Sequence, residues 1–288
     1  MTGIKHFLAL GAAGFLLAGC ASSIPIQRET GQANFDYKVD SQSPETDKTI
    51  SFVKPSFIAT GTGDNDRNTS AQTILGQLAG NARQAPEGFD VQSTFNQSYA
   101  SRLSTALANT FQEIVSARGF KTEGPYENFD EITYTNKKNH YLALLPDADL
   151  KITKKVNKFE CKNQYCTEKG RITASGEFLL KAVEPMTQEA LMVKRIHISD
   201  LGISEPYIQQ FNYDPSGSSG NLVVKGIKSA TSSLSAPEQL KDNTDKAMAN
   251  AVTAFYKEAA QELDRFLSRG ELLSFEESVE DLKSRKRY

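Results

Sequence analysis

The first twenty residues constrain the chain most, because they combine a basic start, a short apolar run and a small-residue ending. Lys5 precedes an apolar stretch from Phe7 to Leu17, which closes on Leu17-Ala18-Gly19-Cys20. The apolar run is too short to span a bilayer as a mature helix. The pattern predicts a bacterial lipoprotein signal peptide over residues 1–19, with diacylglycerol attached to the sulfur of Cys20. An ordinary secretory signal with a chance cysteine is the alternative.

The residues after Cys20 predict where the lipid holds the chain. Ala21 and Ser22 follow the cysteine, and no aspartate is present there to indicate retention in the inner membrane. We therefore expect a lipid anchor in the outer membrane, with palmitate among the acyl chains. Residues 20–48 are polar and lack periodicity, which predicts a flexible tether. A single domain is expected over residues 49–288.

Composition excludes several functional classes. The 288 residues carry a formal charge of −2, which is not that of a globally basic protein and predicts no nucleic-acid partner. Charged residues at 24% and aromatic residues at 9% are typical of a globular domain. The chain has no Gly-x-Ser-x-Gly elbow, phosphate-binding glycine loop or His-Glu-x-x-His pair. We therefore predict no enzyme activity and no cofactor; an envelope hydrolase is the weakest alternative.

Apolar periodicity predicts an α+β fold. Residues Phe95 to Ser116 place apolar side chains at intervals of three or four, and a second long helix is predicted from Thr244 to Ser268, ended by Gly270. The sequence predicts five strands, at Thr49–Val53, Phe120–Thr122, Tyr141–Val156, Arg171–Val183 and Leu191–Ile198, the last two forming a hairpin. We expect an antiparallel or mixed sheet packed by two long helices.

Two cysteines remain if Cys20 carries lipid. Cys161 and Cys166 lie between strand-like runs, where a disulfide closes a hairpin loop in an oxidising compartment. A metal site is the alternative, but neither His140 nor His197 stands at zinc-like spacing from the pair. We predict a disulfide and no metal.

Positive charge is concentrated around the cysteines. Between Lys137 and Arg171, nine Lys or Arg residues face four acidic residues, a local charge of +5. Such a patch either binds carboxylates of sialylated glycans or lipopolysaccharide phosphates, or is a solubilising strand face. Because successive side chains of a strand point to opposite faces, Lys151 and Lys155 group together and Lys154 lies apart.

Five segments together resemble a known family. They are Tyr141-Leu142-Ala143, Phe178-Leu179-Leu180-Lys181-Ala182-Val183-Glu184-Pro185-Met186, Ser199-Asp200-Leu201, Asn221-Leu222-Val223-Val224-Lys225-Gly226 and the basic end from Lys283 to Arg287. In this order, behind a lipobox, they are similar to the neuraminyllactose-binding hemagglutinin family, also described as flagellar-sheath adhesin lipoproteins. The resemblance covers roughly Ile50 to the C-terminus.

The resemblance implies a surface-exposed adhesin of the outer membrane, associated in the family with the flagellar sheath. The family's proposed sialyllactose contact is a short basic run, and Lys151-Ile152-Thr153-Lys154-Lys155 is its nearest match. We therefore expect sialylated host glycans to contact Lys151, Lys154 and Lys155. The alternative is a structural lipoprotein of the outer membrane or flagellar sheath that acts through contacts with envelope proteins.

Overall fold

The computed structural model describes residues 24–39, 42–57, 91–162, 165–212 and 238–285. The predicted signal peptide and Cys20 lie outside these residues. In the described part, eight strands form one mixed sheet. The strands are β1 (Ile26–Arg28), β2 (Thr49–Val53), β3 (Lys121–Tyr126), β4 (Leu142–Lys162), β5 (Tyr165–Val183), β6 (Ala190–His197), β7 (Ser204–Asn212) and β8 (Leu240–Asp242).

The long antiparallel hairpin of β4 and β5 is the centre of this sheet. The strand order is β1-β8-β7-β5-β4-β2-β3, and β6 also pairs with β5. β2 runs parallel to both β3 and β4, whereas β6 and β7 pair antiparallel with successive parts of β5. The predicted mixed sheet and the predicted β5–β6 hairpin are both confirmed.

In the described residues, the other regular elements are α-helices and two short 3-10 helices at Phe129–Glu131 and Ile198–Leu201. The α-helices are α1 (Val91–Ser98), α2 (Ala100–Ala117), α3 (Tyr134–Asn139), α4 (Thr244–Phe266), α5 (Arg269–Leu273) and α6 (Glu276–Arg285). The helix predicted from Phe95 to Ser116 is divided at Tyr99. The prediction that Gly270 ends the long C-terminal helix is wrong. That helix stops at Phe266, because Ser268 starts α5 by accepting a hydrogen bond from the Glu271 amide at 3.3 Å.

One core joins the sheet to α2 and α4. The predicted apolar stripe of α2 is buried throughout, with Leu103, Phe111 and Ile114 fully inaccessible to solvent. Phe255 of α4 and Phe178 of β5 belong to the same cluster. Two long helices therefore cover one side of the sheet, which we call its inner side.

The segment before β2 differs from the predicted flexible tether. Ile26–Arg28 pairs with β8 in parallel, and the Gly31 amide donates to an Asp245 carboxylate oxygen at 2.9 Å. Ala33 is buried, and Phe35 packs edge-on against the Tyr256 ring at 5.2 Å. Scattered apolar residues thus gain burial against α4, although the segment as a whole is polar and non-periodic.

Candidate functional site

The hairpin of β4 and β5 carries alternating inner and outer side chains. On the inner side, Ile152 and Ile172 are buried in the core. Lys155 and Arg171 are direct cross-strand partners, and cross-strand partners share a side of the sheet. Lys151 lies four residues before Lys155 and therefore points the same way. The structure thus agrees with the predicted grouping of Lys151 and Lys155.

A bulge near the end of β4 adds further lysines to the outer side. The register shifts between Val156 and Lys158, where Asn157 is the additional residue. Such an insertion reverses the side of the sheet that each following residue faces. Lys158 is now opposite Lys169, and Lys162 follows Lys158 at an even spacing, so all three face outward. The sequence pattern alone did not reveal this.

We call these six exposed cations the outer basic face: Lys151, Lys155, Lys158, Lys162, Lys169 and Arg171. Among the described outer positions of β4 from Lys151 and of β5 up to Thr173, Glu160 is the one acid. The hydrogen bond from Lys158, reinforced by the charges of Lys162 and Lys169, lowers the pKa of Glu160. Lys158 and the neighbouring lysines therefore stabilise the ionised form of Glu160.

One opposed pair of cations on this face, Lys155 and Arg171, is suited to bind one anion. Lys155 and Arg171 oppose each other on neighbouring strands, where Cβ atoms lie about 5 Å apart. The Arg171 guanidinium donates to the Ser204 hydroxyl at 3.1 Å, which positions it. Its remaining donors have the planar geometry that matches a carboxylate. An anion bound between the two side chains would also reduce their mutual repulsion.

Lys154 does not belong to the outer basic face. Its ammonium group lies 2.6 Å from Glu168 on the inner side, with the two side chains only 13% and 5% exposed. It also donates to Gln209 at 2.7 Å and lies over the Tyr207 ring. The Tyr207 hydroxyl donates to Glu168 at 2.6 Å, and burial raises the pKa of that hydroxyl. Lys154 is therefore in a buried network, so the structure separates it from Lys151 and Lys155.

The predicted disulfide between Cys161 and Cys166 is present in the structure. The two residues are direct partners at the end of the hairpin, with Cα atoms 4.0 Å apart. Cys166 is fully buried. The disulfide therefore joins β4 to β5 at the end of the hairpin that carries the outer basic face.

We expect loss of this disulfide to lower stability moderately. Replacing both cysteines by serine should reduce the free energy of unfolding by about 2 kcal/mol, because the closed loop is short. Urea unfolding of the exported protein measures the change. Alkylation without reductant should leave Cys161 and Cys166 of the parent protein unmodified. Two alkylated thiols would contradict the disulfide.

A serine, a histidine and a glutamate form a second cluster, which sequence reasoning missed because the three residues are distant in the chain. Ser51 Oγ lies 2.5 Å from His140 Nδ1, and His140 Nε2 lies 2.9 Å from Glu123. Burial lowers the pKa of His140, against the raising effect of Glu123. Ser51 is 0% exposed on β2, so no substrate can reach its hydroxyl. The cluster joins β2, β3 and the C-terminal end of α3 and is structural.

Among the residues that the structure describes, no helix is long and apolar enough to cross a bilayer. No group of three or more His, Cys, Asp or Glu side chains in the described ranges is arranged to hold a metal ion. His140 belongs to the Ser51 cluster, and His197 lies 3.3 Å from Glu177 on the surface.

A mixed sheet with two long helices on one side and a row of exposed cations on the other defines an α+β protein with one basic surface. The family profile described as neuraminyllactose-binding hemagglutinin precursor matches residues 86–286. The chain belongs to this family.

Individual relatives agree with this assignment. Neuraminyllactose-binding hemagglutinins of Helicobacter pylori strains 26695 and J99 are each 22% identical over 217 residues, which is 69% of this chain and 75% of theirs. A crystal structure of a neuraminyllactose-binding hemagglutinin homolog from Helicobacter pylori aligns with a TM-score of 0.51 at 13% identity, covering 85% of this chain and 99% of the other. This likeness supports the fold. The relatives are named as binding proteins and not as enzymes.

Proposed function

We propose that the protein is a lipid-anchored surface adhesin that binds sialylated glycans through its outer basic face. The opposed pair of Lys155 and Arg171, within six cations on one side of the hairpin, is the observation that carries the proposal. Membership of the neuraminyllactose-binding family supports it. The disulfide at the hairpin end supports it further, because a joined hairpin presents the cations in one arrangement.

The chemistry of sialic acid fits the geometry of this surface. Its carboxylate would lie between Lys155 and Arg171 and accept charge-assisted hydrogen bonds from both. Thr153 and Thr173, whose hydroxyls are 2.8 Å apart, lie beside this pair on the outer side and would hydrogen-bond sugar hydroxyls. Lys151 is about 13 Å from Lys155 along the strand and would contact a neighbouring sugar or a second carboxylate. The remaining cations would attract the anionic glycan before contact.

Substitution of the opposed pair should weaken glycan binding selectively. We expect Lys155→Gln with Arg171→Gln to reduce affinity for 3′-sialyllactose by about tenfold or more, because two charge-assisted hydrogen bonds to the carboxylate are lost. Lys151→Gln should have a smaller effect. Lys257→Gln, an exposed lysine of α4, is the matched control and should bind normally. Biolayer interferometry with sialyllactose and with lactose measures all four proteins.

Salt provides the second arm of this experiment. Binding through exposed charges should weaken as the Debye length falls from about 10 Å at 0.1 M to about 3 Å at 1 M ionic strength. Equal binding of lactose and sialyllactose, or unchanged affinity in the double variant, would exclude the outer basic face as the glycan site. Capture of envelope proteins without any glycan binding would favour the structural lipoprotein of the outer membrane or flagellar sheath.

Anchoring through Cys20 is tested separately. We expect Cys20→Ser to abolish palmitate incorporation, because this thiol is the predicted acylation site, and to leave the chain soluble or uncleaved. Radiolabelled palmitate measures the incorporation, and protease treatment of intact cells reports whether the wild-type domain faces outward. Undiminished labelling of the variant would exclude the lipoprotein proposal. A protease-protected wild-type domain would exclude the adhesin proposal.

A further inference from the structure

A cleft on the helix-covered side of the domain is separate from the outer basic face. Its volume is about 480 Å³, and it lies between α2, the segment from Phe35 to Tyr37, and Tyr256 of α4. Small-molecule sites usually enclose about 300–1,000 Å³. The cleft is therefore large enough for a short sugar chain. The outer basic face contains none of the residues that line this cleft.

The wall formed by α2 presents a row of hydrogen-bonding side chains. Ser101, Thr105 and Asn109 line the cleft at four-residue intervals and are exposed. This spacing places successive groups about 6 Å apart along the helix, close to the length of one sugar ring. The opposite wall contains the half-buried ring of Phe35, over which Arg102 lies, and that of Tyr37, which suits the apolar face of a pyranose. Such a combination of hydroxyl, amide and aromatic groups favours a carbohydrate.

One end of the cleft contains hydrogen-bond acceptors. The Thr110 hydroxyl donates to the Ala106 carbonyl at 3.0 Å, so the Tyr256 hydroxyl, 2.8 Å away, donates its proton to Thr110. The Tyr256 oxygen then retains only acceptor capacity. Asp36 and Glu113 line the same cleft. Burial, together with the negative charges of Glu113 and Asp36, raises the pKa of Tyr256, so both carboxylates act on this hydroxyl.

The charges of the cleft indicate the sign of its ligand. Two carboxylates face one cation, Arg102, whose guanidinium lies 5.7 Å from the centre of the Phe35 ring. The lining therefore has a formal charge of −1, opposite in sign to the outer basic face. A sialylated glycan would be repelled, whereas an ammonium group supplies three donors to an end that holds acceptors.

We propose that this cleft binds an amine-bearing oligosaccharide. The ammonium group lies between the exposed carboxylates of Asp36 and Glu113, and the sugar hydroxyls follow the row from Ser101 to Asn109. The site is independent of the proposed adhesin function, because it uses different residues on the other side of the sheet and a ligand of opposite charge.

Titration calorimetry of the mature protein with two matched sugars tests the proposal. Chitotriose carries free amines, and triacetylchitotriose has the same sugar backbone without their charge. At a pH where the amines are protonated, we expect chitotriose to bind about tenfold more tightly or better, because charged hydrogen bonds to Asp36 and Glu113 form only with the amine. Asp36→Asn and Glu113→Gln should each remove most of this preference. Glu258→Gln, an exposed carboxylate of α4, is the control and should retain it.

Each contrary outcome overturns a named part of the proposal. Equal binding of the two sugars would show that Asp36 and Glu113 do not select for the amine. No binding of chitotriose would exclude the site. If trilysine bound as tightly as chitotriose, and Glu113→Gln weakened both equally, the ligand of the cleft would be a basic peptide and not a sugar. Sialyllactose binding that Glu113→Gln leaves unchanged would concern the outer basic face and would not bear on the cleft.

Discussion

Lys154→Met should destabilise the protein by about 3–5 kcal/mol, because it leaves the Glu168 carboxylate buried without its cation. Glu168 is 5% exposed and would keep only the hydrogen bond from Tyr207. Methionine preserves the length and much of the volume of the lysine side chain, so the loss reports charge and not packing. The midpoint and slope of urea unfolding measure the change.

A matched control lies on the opposite side of the same strand. Lys158 pairs with Glu160 at 2.9 Å, but these side chains are 60% and 49% exposed. Lys158→Met should therefore change the free energy of unfolding by no more than about 1 kcal/mol. Lys154→Met combined with Glu168→Leu should recover most of the loss, since no buried charge then remains. Equally small effects of Lys154→Met and Lys158→Met would contradict a buried ion pair.

Gly176→Ala should be destabilising by about 3 kcal/mol or more, because the residue combines an unfavourable backbone conformation with a close backbone contact. Its φ is 114°, and a Cβ would lie 1.9 Å from the Asp149 carbonyl oxygen of β4. The conformation alone contributes about 1–3 kcal/mol, and relief of the contact must displace β4, which adds about 1–3 kcal/mol. Thermal or urea unfolding of the purified variant measures the sum.

Gly202→Ala tests the backbone conformation without a close contact. Gly202 also has a positive φ, 65°, but a Cβ there would have no neighbour within 4 Å. Alanine should therefore reduce stability by only about 1–2 kcal/mol, the conformational part. The difference between the variants reports the contact with β4 together with the larger conformational penalty at the φ of Gly176. If Gly176→Ala were no worse than Gly202→Ala, β4 would move freely at Asp149, and the hairpin would not hold its outer side chains in one arrangement.

Gly176 and Lys154 bear on function because both hold the hairpin that carries the outer basic face. Gly176 is opposite Leu150 and adjacent to the pair of Lys151 and Ser175. Lys154 lies between Lys151 and Lys155 in sequence but anchors β4 from the inner side through Glu168. The same strand thus contributes a buried charge to stability and exposed charges to the proposed ligand site. A folded variant with altered Lys154 could weaken binding without Lys154 contacting the glycan.

Local periodicity was sufficient for several features of this protein. The three- and four-residue spacing from Phe95 to Ile114 predicted a stripe that is buried in the structure, since helical geometry alone places those residues on one side. Strand alternation likewise predicted that Lys151 and Lys155 group together and Lys154 lies apart. The disulfide was predictable because Cys161 and Cys166 are close in sequence and lie between two strands.

Contacts between distant segments required the tertiary structure. The bulge at Asn157 turns Lys158 and Lys162 outward, a shift set by how β4 pairs with β5 and not by the order of the residues. The ion pair of Lys154 with Glu168 likewise joins residues that are distant in the chain. The same is true of the cluster of Ser51, Glu123 and His140 and of the cleft beside Tyr256. Side-chain direction follows from local backbone geometry, so the sequence alone determined it wherever strands and helices are regular. The partner that each side chain meets depends on how those elements pack, and this only the folded chain decided.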